Sequence, residues 1–370
     1  MKSCNIFSFY EGFFIKLFPI TYISPICKSV TLLFICIFLL SCRNDNVRSV
    51  NKVENSKQLG QSDLSDTRVG LGVHGFNLND TASKHFSEYF NSLSTANAMK
   101  FEAIHPHIDE YAWGEADSII KFALENKMVV RGHTLLWSNR NPYWLFWDEK
   151  GNLIHRSLLD QRLKDHIQTV VSRYKGKVYA WDVVNEAIYD NDKEFLKTNN
   201  WYKVMGADYI KKAFQYAHEA DSNAILFYND YDAERPDKLK RITKLIKWLQ
   251  SEKVPIHGMG IQGHWTLDSP TVNEIRTAVD TYANLGLQVQ ITELDIVLPP
   301  DFKGSDEDKM ELLSERYAEI FKVLYELRTK ITGITFWQTA DIPTKYPLLF
   351  DDQLKPTPIY QAIRNAWSEN

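Results

Sequence analysis

The 370 residues carry a formal net charge of −4, with 44% hydrophobic and 24% charged side chains. This balance is typical of a globular protein with a sizeable core, and it excludes the strongly basic surface of a nucleic-acid-binding protein. All four cysteines lie at or before Cys42, which excludes a disulfide framework or a thiolate metal site in the rest of the chain. The aromatic share of 13% fits either a core of large side chains or a cleft that stacks on sugar rings.

The first 41 residues predict a signal peptide of the bacterial lipoprotein type. Lys28 precedes the apolar run Val30–Leu40, which is shorter than the roughly 20 residues that a membrane-spanning helix needs. The segment Leu39–Cys42 reads Leu-Leu-Ser-Cys and is similar to a lipoprotein cleavage box, so Cys42 would become the lipidated first residue. We therefore expect an exported protein anchored in a bacterial membrane, at the outer membrane or the cell surface. An uncleaved anchor helix is the alternative.

A polar segment separates this signal from the folded part of the chain. Residues 42–67 have no apolar period and are rich in Asn, Ser, Asp and Lys, which predicts a flexible tether. No second linker follows, so residues 68–370 are predicted to form one domain.

Eight apolar, β-rich runs recur along this domain. They are Val69–Val73, Ala96–Met99, Val129–Leu136, Val178–Val184, Ala224–Tyr228, Gly258–Gln262, Gln288–Thr292 and Gly333–Trp337. The segments between them have helical periods: in Ser157–Ser172 apolar residues recur at steps of three and four, and Ala207–Ala220 and Asp237–Leu249 behave similarly. Eight alternating strand and helix units predict a single (β/α)8 TIM barrel of the α/β class. An open doubly wound sheet is the alternative, although no glycine-rich phosphate loop follows the first strand.

Polar and aromatic side chains recur where the predicted strands end. They are Asn97, Lys100, His133, Trp137, Asn185, Glu186, Asn229, Tyr231, Gln262, His264, Glu293, Asp295 and Trp337. In a β/α barrel the carboxyl ends of the strands form the active face. The pattern therefore predicts a polar cleft on that face.

Two of these residues are glutamates that follow the fourth and seventh strands. Glycoside cleavage needs two carboxyl groups around one bond, one holding a proton for the leaving oxygen and the other ionised. A closed barrel can bring Glu186 and Glu293 to one mouth, although either alone could be an acid at a helix start. Asp295 lies two residues beyond Glu293, on the same strand face, and could share a network with His264. The alternative for Asp295 is a solvated loop acid.

The motifs around these residues resemble glycoside hydrolase family 10, whose characteristic activity is endo-1,4-β-xylanase. The most specific are Trp181–Ala187 (WDVVNEA) and Ile291–Ile296 (ITELDI). Weaker matches, in family order, are Asn97–Lys100 (NAMK), Arg131–Trp137 (RGHTLLW), Leu226–Tyr231 (LFYNDY), Gly258–His264 (GMGIQGH) and Pro347–Asp351 (PLLFD). The resemblance runs from Leu71 to the C-terminus and implies a (β/α)8 hydrolase that needs no metal or organic cofactor.

The resemblance also implies a role for each matching residue. Glu186 would be the acid/base and Glu293 the nucleophile of a retaining double displacement. Asn185 would bind the sugar 2-hydroxyl at the reacting subsite, which Gln262 and His264 would support. His264 would also bond Glu293 and help to keep it ionised. Four further residues would bind sugar on the glycone side: Asn97, Lys100, His133 and Trp137. Tyr231 would line the cleft, and Trp337 would lie beneath the reacting sugar.

Four departures from the family pattern fall around the glycone side. Ala96 stands where the family's second-strand motif has Glu, and Ser138-Asn139-Arg140 replaces His-Ser-Gln after the third strand. Gln338 replaces a Gly in the eighth loop, and Lys345-Tyr346 stands near the place of a missing second tryptophan. A guanidinium only donates hydrogen bonds, whereas the amide it replaces also accepts them. Arg140 and Lys345 also add positive charge near the cleft.

These features lead to three hypotheses for function. The first is endo-acting hydrolysis of β-1,4-xylosidic bonds in xylan with retention of anomeric configuration. The second is a retaining β-glycanase, or an enzyme that trims oligosaccharides, acting on another glycan that the added positive charge suggests is anionic. The third is a lipoprotein that binds glycan without cleaving it, against which both glutamates argue. We expect a monomer whose partners are a xylan-class polysaccharide or oligosaccharide and the membrane, with no nucleic acid, metal or cofactor.

Overall fold

Runs of buried residues form a closed parallel barrel in the computed structural model of the protein, which describes residues 61–62, 65–73, 85, 87–190, 194–337, 349–351 and 353–368. The barrel strands are β1 (Arg68–Val73), β2 (Ser92–Thr95), β3 (Val129–Trp137), β4 (Val178–Asn185), β5 (Ile225–Asp230), β6 (Gly258–Ile261), β7 (Gln288–Val297) and β8 (Ile331–Trp337). Each pairs in parallel with the next, and β8 also pairs with β1. The predicted (β/α)8 fold is confirmed, and the open doubly wound alternative is wrong.

Helices occupy the connections between the strands. They are α1 (Phe101–Ile104), α2 (Gly114–Glu125), α3 (Tyr143–Phe146), α4 (Arg156–Arg173), α5 (Asn200–Met205), α6 (Asp208–Ala220), α7 (Pro236–Ser251), α8 (Val272–Asn284), α9 (Asp306–Glu326) and α10 (Pro358–Ser368). The long helices bury an apolar stripe, as α6 does with Ile210, Phe214 and Ala217. Within the described ranges, no helix is both long and apolar enough to cross a membrane.

The second strand lies one strand length earlier than the sequence predicted. All four side chains of β2 are buried, whereas the predicted run Ala96–Met99 forms the bend and turn that follow it. Serine and threonine fill most of β2, so it lacks the apolar pattern on which the prediction depended. Thr95 shows how such a residue is accommodated: its Oγ1 accepts from the His133 N–H at 3.0 Å and donates to the His133 carbonyl at 3.2 Å.

An ion pair inside the barrel supports the active face from below. Arg131 and Asp182 are both buried, and the two terminal guanidinium nitrogens donate to the two carboxylate oxygens. Arg131 Nε also donates to Gln290 Oε1 at 3.1 Å, and Asp182 Oδ2 lies 2.9 Å from His133 Nδ1. A buried ion pair is tolerated only when its remaining hydrogen-bonding groups are satisfied. The network therefore fixes His133 from beneath.

Several sequence predictions lie outside the described residues. These are the signal peptide with Cys42, the tether as far as residue 60, Gln338 and Lys345-Tyr346. Further along the predicted tether, Gln61–Ser62 and Ser65–Asp66 pair as two short antiparallel strands.

Candidate active site

Glu186 occupies an unusual backbone conformation at the end of β4. Its φ is +58°, in the left-handed region that non-glycine residues rarely adopt. The neighbouring strand supports this turn, because the Glu186 N–H donates to the Asn229 carbonyl at 2.9 Å. Conformations of this kind concentrate at functional sites, where the surrounding structure holds them in place.

The carboxylate of Glu186 is held on both oxygens. Asn185 Nδ2 and Gln262 Nε2 approach Oε1 at 3.2 Å and 3.1 Å. Lys197 Nζ lies 3.6 Å from Oε2, and the Glu186 side chain is 13% exposed. The side chain is therefore oriented from two strand ends and one loop, while part of it stays open to the cleft.

Glu293 sits across the barrel mouth on β7 and is more deeply buried, at 5% exposure. Asn229 Nδ2 donates to its Oε1 at 2.7 Å, and His264 Nε2 lies 3.3 Å from Oε2. His133 Nδ1 is 3.8 Å from Oε1. Both carboxylate oxygens of Glu293 therefore lie close to side-chain nitrogens.

These nitrogens determine the ionisation of Glu293. Burial alone would raise the pKa of Glu293, but nearby His133 and the contacts with His264 and Asn229 outweigh it and lower the pKa to about 2. Burial likewise opposes the charge on His264, whereas its contacts with Asp295 and Glu293 raise the pKa of His264 to about 10. At neutral pH Glu293 is therefore a carboxylate beside an imidazolium. A carboxylate is the state that attack on carbon requires.

Asn229 joins the two carboxylates into one network. Its Nδ2 donates to Asn185 Oδ1 at 2.9 Å as well as to Glu293, and Asn185 in turn contacts Glu186. The other face of the Asn229 amide is fixed because Thr292 Oγ1 donates to its Oδ1 at 2.6 Å. A side chain at Gly260 would collide with that oxygen, so the glycine makes room for the network. We call Asn185, Glu186, Asn229, Gln262, His264 and Glu293 the central cluster.

A second group lies at the ends of β2 and β3, and we call Asn97, Lys100, Trp137 and Arg140 the rim. Lys100 Nζ donates to Asn97 Oδ1 at 2.7 Å and lies 5.1 Å from the Trp137 ring centroid. The Trp137 indole Nε1 has no hydrogen-bond partner among the described residues. Arg140 lies further out, with Nε 3.7 Å from Glu102 Oε2 and both side chains about half exposed.

His133 connects the central cluster to Trp337 at the end of β8. Their ring centroids are 5.3 Å apart, with the planes at 72°. Trp337 itself packs against β1, where a Cβ on Gly72 would lie 2.6 Å from its ring. The Trp337 indole therefore needs glycine at position 72 to occupy this place.

Tyr231 and Asp295 complete the set of sequence-predicted residues. Tyr231 donates its hydroxyl to Asp190 at 2.6 Å and accepts from Lys197 Nζ at 3.1 Å, so it belongs to the Glu186 side of the mouth. Asp295 Oδ2 lies 3.0 Å from His264 Nδ1, where a short strand, His264–Thr266, pairs with β7. No group of three His, Cys, Asp or Glu side chains in the described ranges could hold a metal ion.

Comparisons with known proteins identify the family. The sequence profile of glycosyl hydrolase family 10 matches residues 61–366. The chain belongs to glycosyl hydrolase family 10. It is 40% identical over 318 residues to endo-1,4-β-xylanase B of Paenibacillus barcinonensis, covering 80% of this chain and 95% of that protein. It is 45% identical over 293 residues to a β-1,4-xylanase of Dictyoglomus thermophilum, covering 75% and 82% of the two chains.

A solved family 10 structure has the same fold. The crystal structure of xylanase XynB from Paenibacillus barcinonensis, complexed with a conduramine derivative, matches with a TM-score of 0.76 at 39% identity. The match covers 80% of this chain and 95% of that one. The barrel described above is therefore shared with a family 10 enzyme over nearly the whole length of the relative.

Two of the four departures from the family pattern fall on described residues, and these two, Ala96 and Ser138–Arg140, lie next to or within the rim. Ala96, where the family resemblance implies a glutamate, is buried directly after β2. Arg140 lies beside Glu102, which neutralises part of its charge. The residues of the central cluster, by contrast, all lie within the motifs on which the resemblance rests.

Sequence reasoning gave no role to two contributors to this family 10 site. Asn229 lies within the recognised motif Leu226–Tyr231 and was expected at the cleft, but its role could not be inferred before its partners were known. Lys197 lies in the irregular loop after β4, where no period or motif marks it. The antiparallel bridge Ile188–Leu196 and the hydrogen bond from Lys197 N to the Ala187 carbonyl, 2.9 Å long, fold that loop back onto Glu186.

Proposed function

We propose that the protein is an endo-acting β-1,4-xylanase that cleaves xylan with retention of anomeric configuration. Membership of glycosyl hydrolase family 10 and the similarity to two enzymes named as xylanases support the substrate. The observation that carries the reaction type is the central cluster, in which a buried, ionised Glu293 and a partly open Glu186 share one hydrogen-bond network.

The reaction follows a double displacement. In the first step a Glu293 oxygen bonds to the anomeric carbon, the glycosidic bond breaks, and the proton of Glu186 passes to the leaving oxygen. In the second step Glu186, now ionised, takes a proton from water while the water oxygen displaces Glu293. The product carries its new hydroxyl on the original face, and both glutamates return to their starting states.

The surrounding residues assist each step through charge and position. His264 and Asn229 donate to Glu293 and so keep it ionised before attack. Asn185 and Gln262 hold Glu186 beside the bond to be broken. The rim residues Lys100 and Trp137 would contact the sugars on the non-reducing side, where a cation and an indole face suit hydroxyl groups and pyranose rings.

The direct test is to incubate the protein with linear xylan, cellulose, mannan and defined xylo-oligosaccharides and to size the products. Among the polysaccharides, we expect the enzyme to lower the viscosity of xylan rapidly and to release from it short oligosaccharides of several lengths, but not to cleave cellulose or mannan. A matched pair of variants, Glu293→Ala and the exposed Glu311→Ala, separates the reaction from contamination. Binding of xylan without new reducing ends, or a preferred backbone other than xylan, would overturn the proposal.

We also propose that the enzyme is exported and held at a bacterial membrane through a lipid on Cys42, at the outer membrane or the cell surface. The Leu-Leu-Ser-Cys segment after an apolar run supports this, and the polar residues that follow would act as a tether. Cell fractionation of the full chain and of Cys42→Ser tests it. We expect xylanase activity in the membrane fraction only for the wild type; membrane activity that survives the substitution would favour an uncleaved anchor helix.

A further inference from the structure

A buried polar group below Glu186 is not used by the reaction just described. It consists of Tyr228 and Asp230 on β5 and Lys238 on α7. The exposures of the three residues are 0%, 0% and 3%. Burial of a phenol, a carboxylate and an ammonium together is costly unless each is paired.

The Tyr228 hydroxyl is hydrogen-bonded to the backbone that follows Glu186. It accepts hydrogen bonds from the N–H of Ala187 at 3.0 Å and from the N–H of Ile188 at 3.2 Å. These two groups leave the β4 ladder because the chain turns at Glu186, whose φ is +58°. One oxygen therefore satisfies both N–H groups that the left-handed turn releases.

Asp230 and Lys238 fix the Tyr228 hydroxyl in that position. The hydroxyl donates its own proton to Asp230 Oδ2, so both lone pairs of its oxygen face the Glu186 turn. Lys238 Nζ lies 2.9 Å from Asp230 Oδ1. Burial raises the pKa of Asp230 to about 6 although Lys238 and Tyr228 lower it, so the carboxylate is ionised and accepts at neutral pH.

We propose that Tyr228, Asp230 and Lys238 form a positioning relay for the acid/base Glu186. The relay does not touch substrate. It holds the peptide after Glu186 so that the carboxyl group points at the leaving oxygen. Asn229, which lies between Tyr228 and Asp230 on β5, adds to this support because its backbone carbonyl accepts a hydrogen bond from the Glu186 N–H. This inference rests on the acid/base role proposed above for Glu186.

A relay that positions an acid has a signature that a purely structural network lacks. Proton donation matters for a leaving group that departs poorly as an anion, and it matters little for one that departs readily. The value of kcat/KM reports only the steps up to the first glycosyl transfer. The ratio of kcat/KM for two leaving groups also cancels the concentration of folded enzyme, so partial unfolding of a variant does not change it.

The experiment compares phenyl β-xylobioside with dinitrophenyl β-xylobioside for the wild type, Tyr228→Phe, Asp230→Asn and Glu186→Ala. For Tyr228→Phe we expect kcat/KM to fall roughly 10- to 100-fold on the phenyl substrate and less than about threefold on the dinitrophenyl substrate. The loss on the phenyl substrate would be part of the rate enhancement that general acid catalysis contributes. The matched control is Tyr282→Phe, which removes an equally buried hydroxyl bonded to the Ala233 carbonyl at 2.7 Å. We expect it to leave both values unchanged.

The outcomes separate the relay from the proposed function. If Glu186→Ala shows the dependence on leaving group but neither Tyr228→Phe nor Asp230→Asn changes the ratio, the relay is wrong while Glu186 keeps its role. An equal loss on both substrates also overturns the relay, since it indicates a general structural effect. If the wild type hydrolyses neither substrate or Glu186→Ala shows no dependence, the acid/base assignment fails and the relay fails with it.

Discussion

The central cluster and the rim share the carboxyl end of the barrel, yet they are built from different contacts. Apart from the bond between the adjacent Asn185 and Glu186, hydrogen bonds in the central cluster join residues far apart in sequence, such as Asn185 with Asn229 and Asn229 with Glu293, separated by 44 and 64 positions. In the rim, Lys100 bonds Asn97 three positions away, and the side chains are partly exposed.

This difference bears on Arg140, the rim residue that departs from the family pattern. Replacing a buried member of the central cluster, such as Asn229, leaves a buried donor or acceptor without a partner, at a cost of about 1–3 kcal/mol. At the rim, water can replace a lost partner, so a substitution changes sugar contacts and leaves the fold intact. The cleavage chemistry is therefore constrained by the barrel core, whereas sugar recognition at the rim can vary.

The largest effect should come from removing the ionised member of the central cluster. Glu293→Ala deletes the nucleophile, so we expect the initial rate on xylan to fall by at least about 10⁴-fold. Circular dichroism checks that the variant is folded. A folded variant within tenfold of the wild-type rate would remove Glu293 from the reaction.

A rim substitution should have a much smaller effect. Lys100→Met keeps the length of the side chain but loses the bond to Asn97 and the charge beside Trp137, so we expect kcat/KM on xylan to fall about tenfold, the equivalent of one hydrogen bond to a charged group. Steady-state kinetics measure it, with the exposed Lys150→Met as control. A loss as large as that of Glu293→Ala would erase the distinction between the two regions.

The central cluster should also be the pH-sensitive region. The pKa of His264 is raised from its ordinary 6.5 to about 10, so its contacts with Glu293 and Asp295 stabilise the fold fully below pH 6.5 and are lost as the pH rises through about 10. We expect His264→Gln to melt below the wild type at pH 7, by a difference in Tm that shrinks towards pH 10. A difference that stays constant across this range would contradict the charge pairing.

The smallest effect should come from Arg140. Because it is half exposed and lies beside Glu102, we expect Arg140→Ala to change the ratio of rates on glucuronate-decorated and neutral xylan by less than about threefold at low salt. A larger change would show that the rim selects anionic chains.

The sequence predicted the barrel because alternating strands and helices leave a periodic apolar signal, and it failed at β2, where serine and threonine hide that signal. Glu186 and Glu293 could be identified from the sequence because they follow predicted strands and lie within the two most specific family motifs. The contacts that orient them could not be predicted in the same way. Asn229 acts through partners on other strands, Tyr228 contacts the backbone that follows β4, and Lys197 depends on how one irregular loop folds back.

The configuration of the newly formed reducing end tests the central claim most directly. Proton nuclear magnetic resonance during the first minutes of xylo-oligosaccharide cleavage distinguishes the two anomers before they interconvert. If Glu293 attacks and Glu186 serves first as acid and then as base, the β anomer appears first and the α anomer follows by mutarotation. Initial release of the α anomer would contradict the double displacement and the roles assigned to both glutamates.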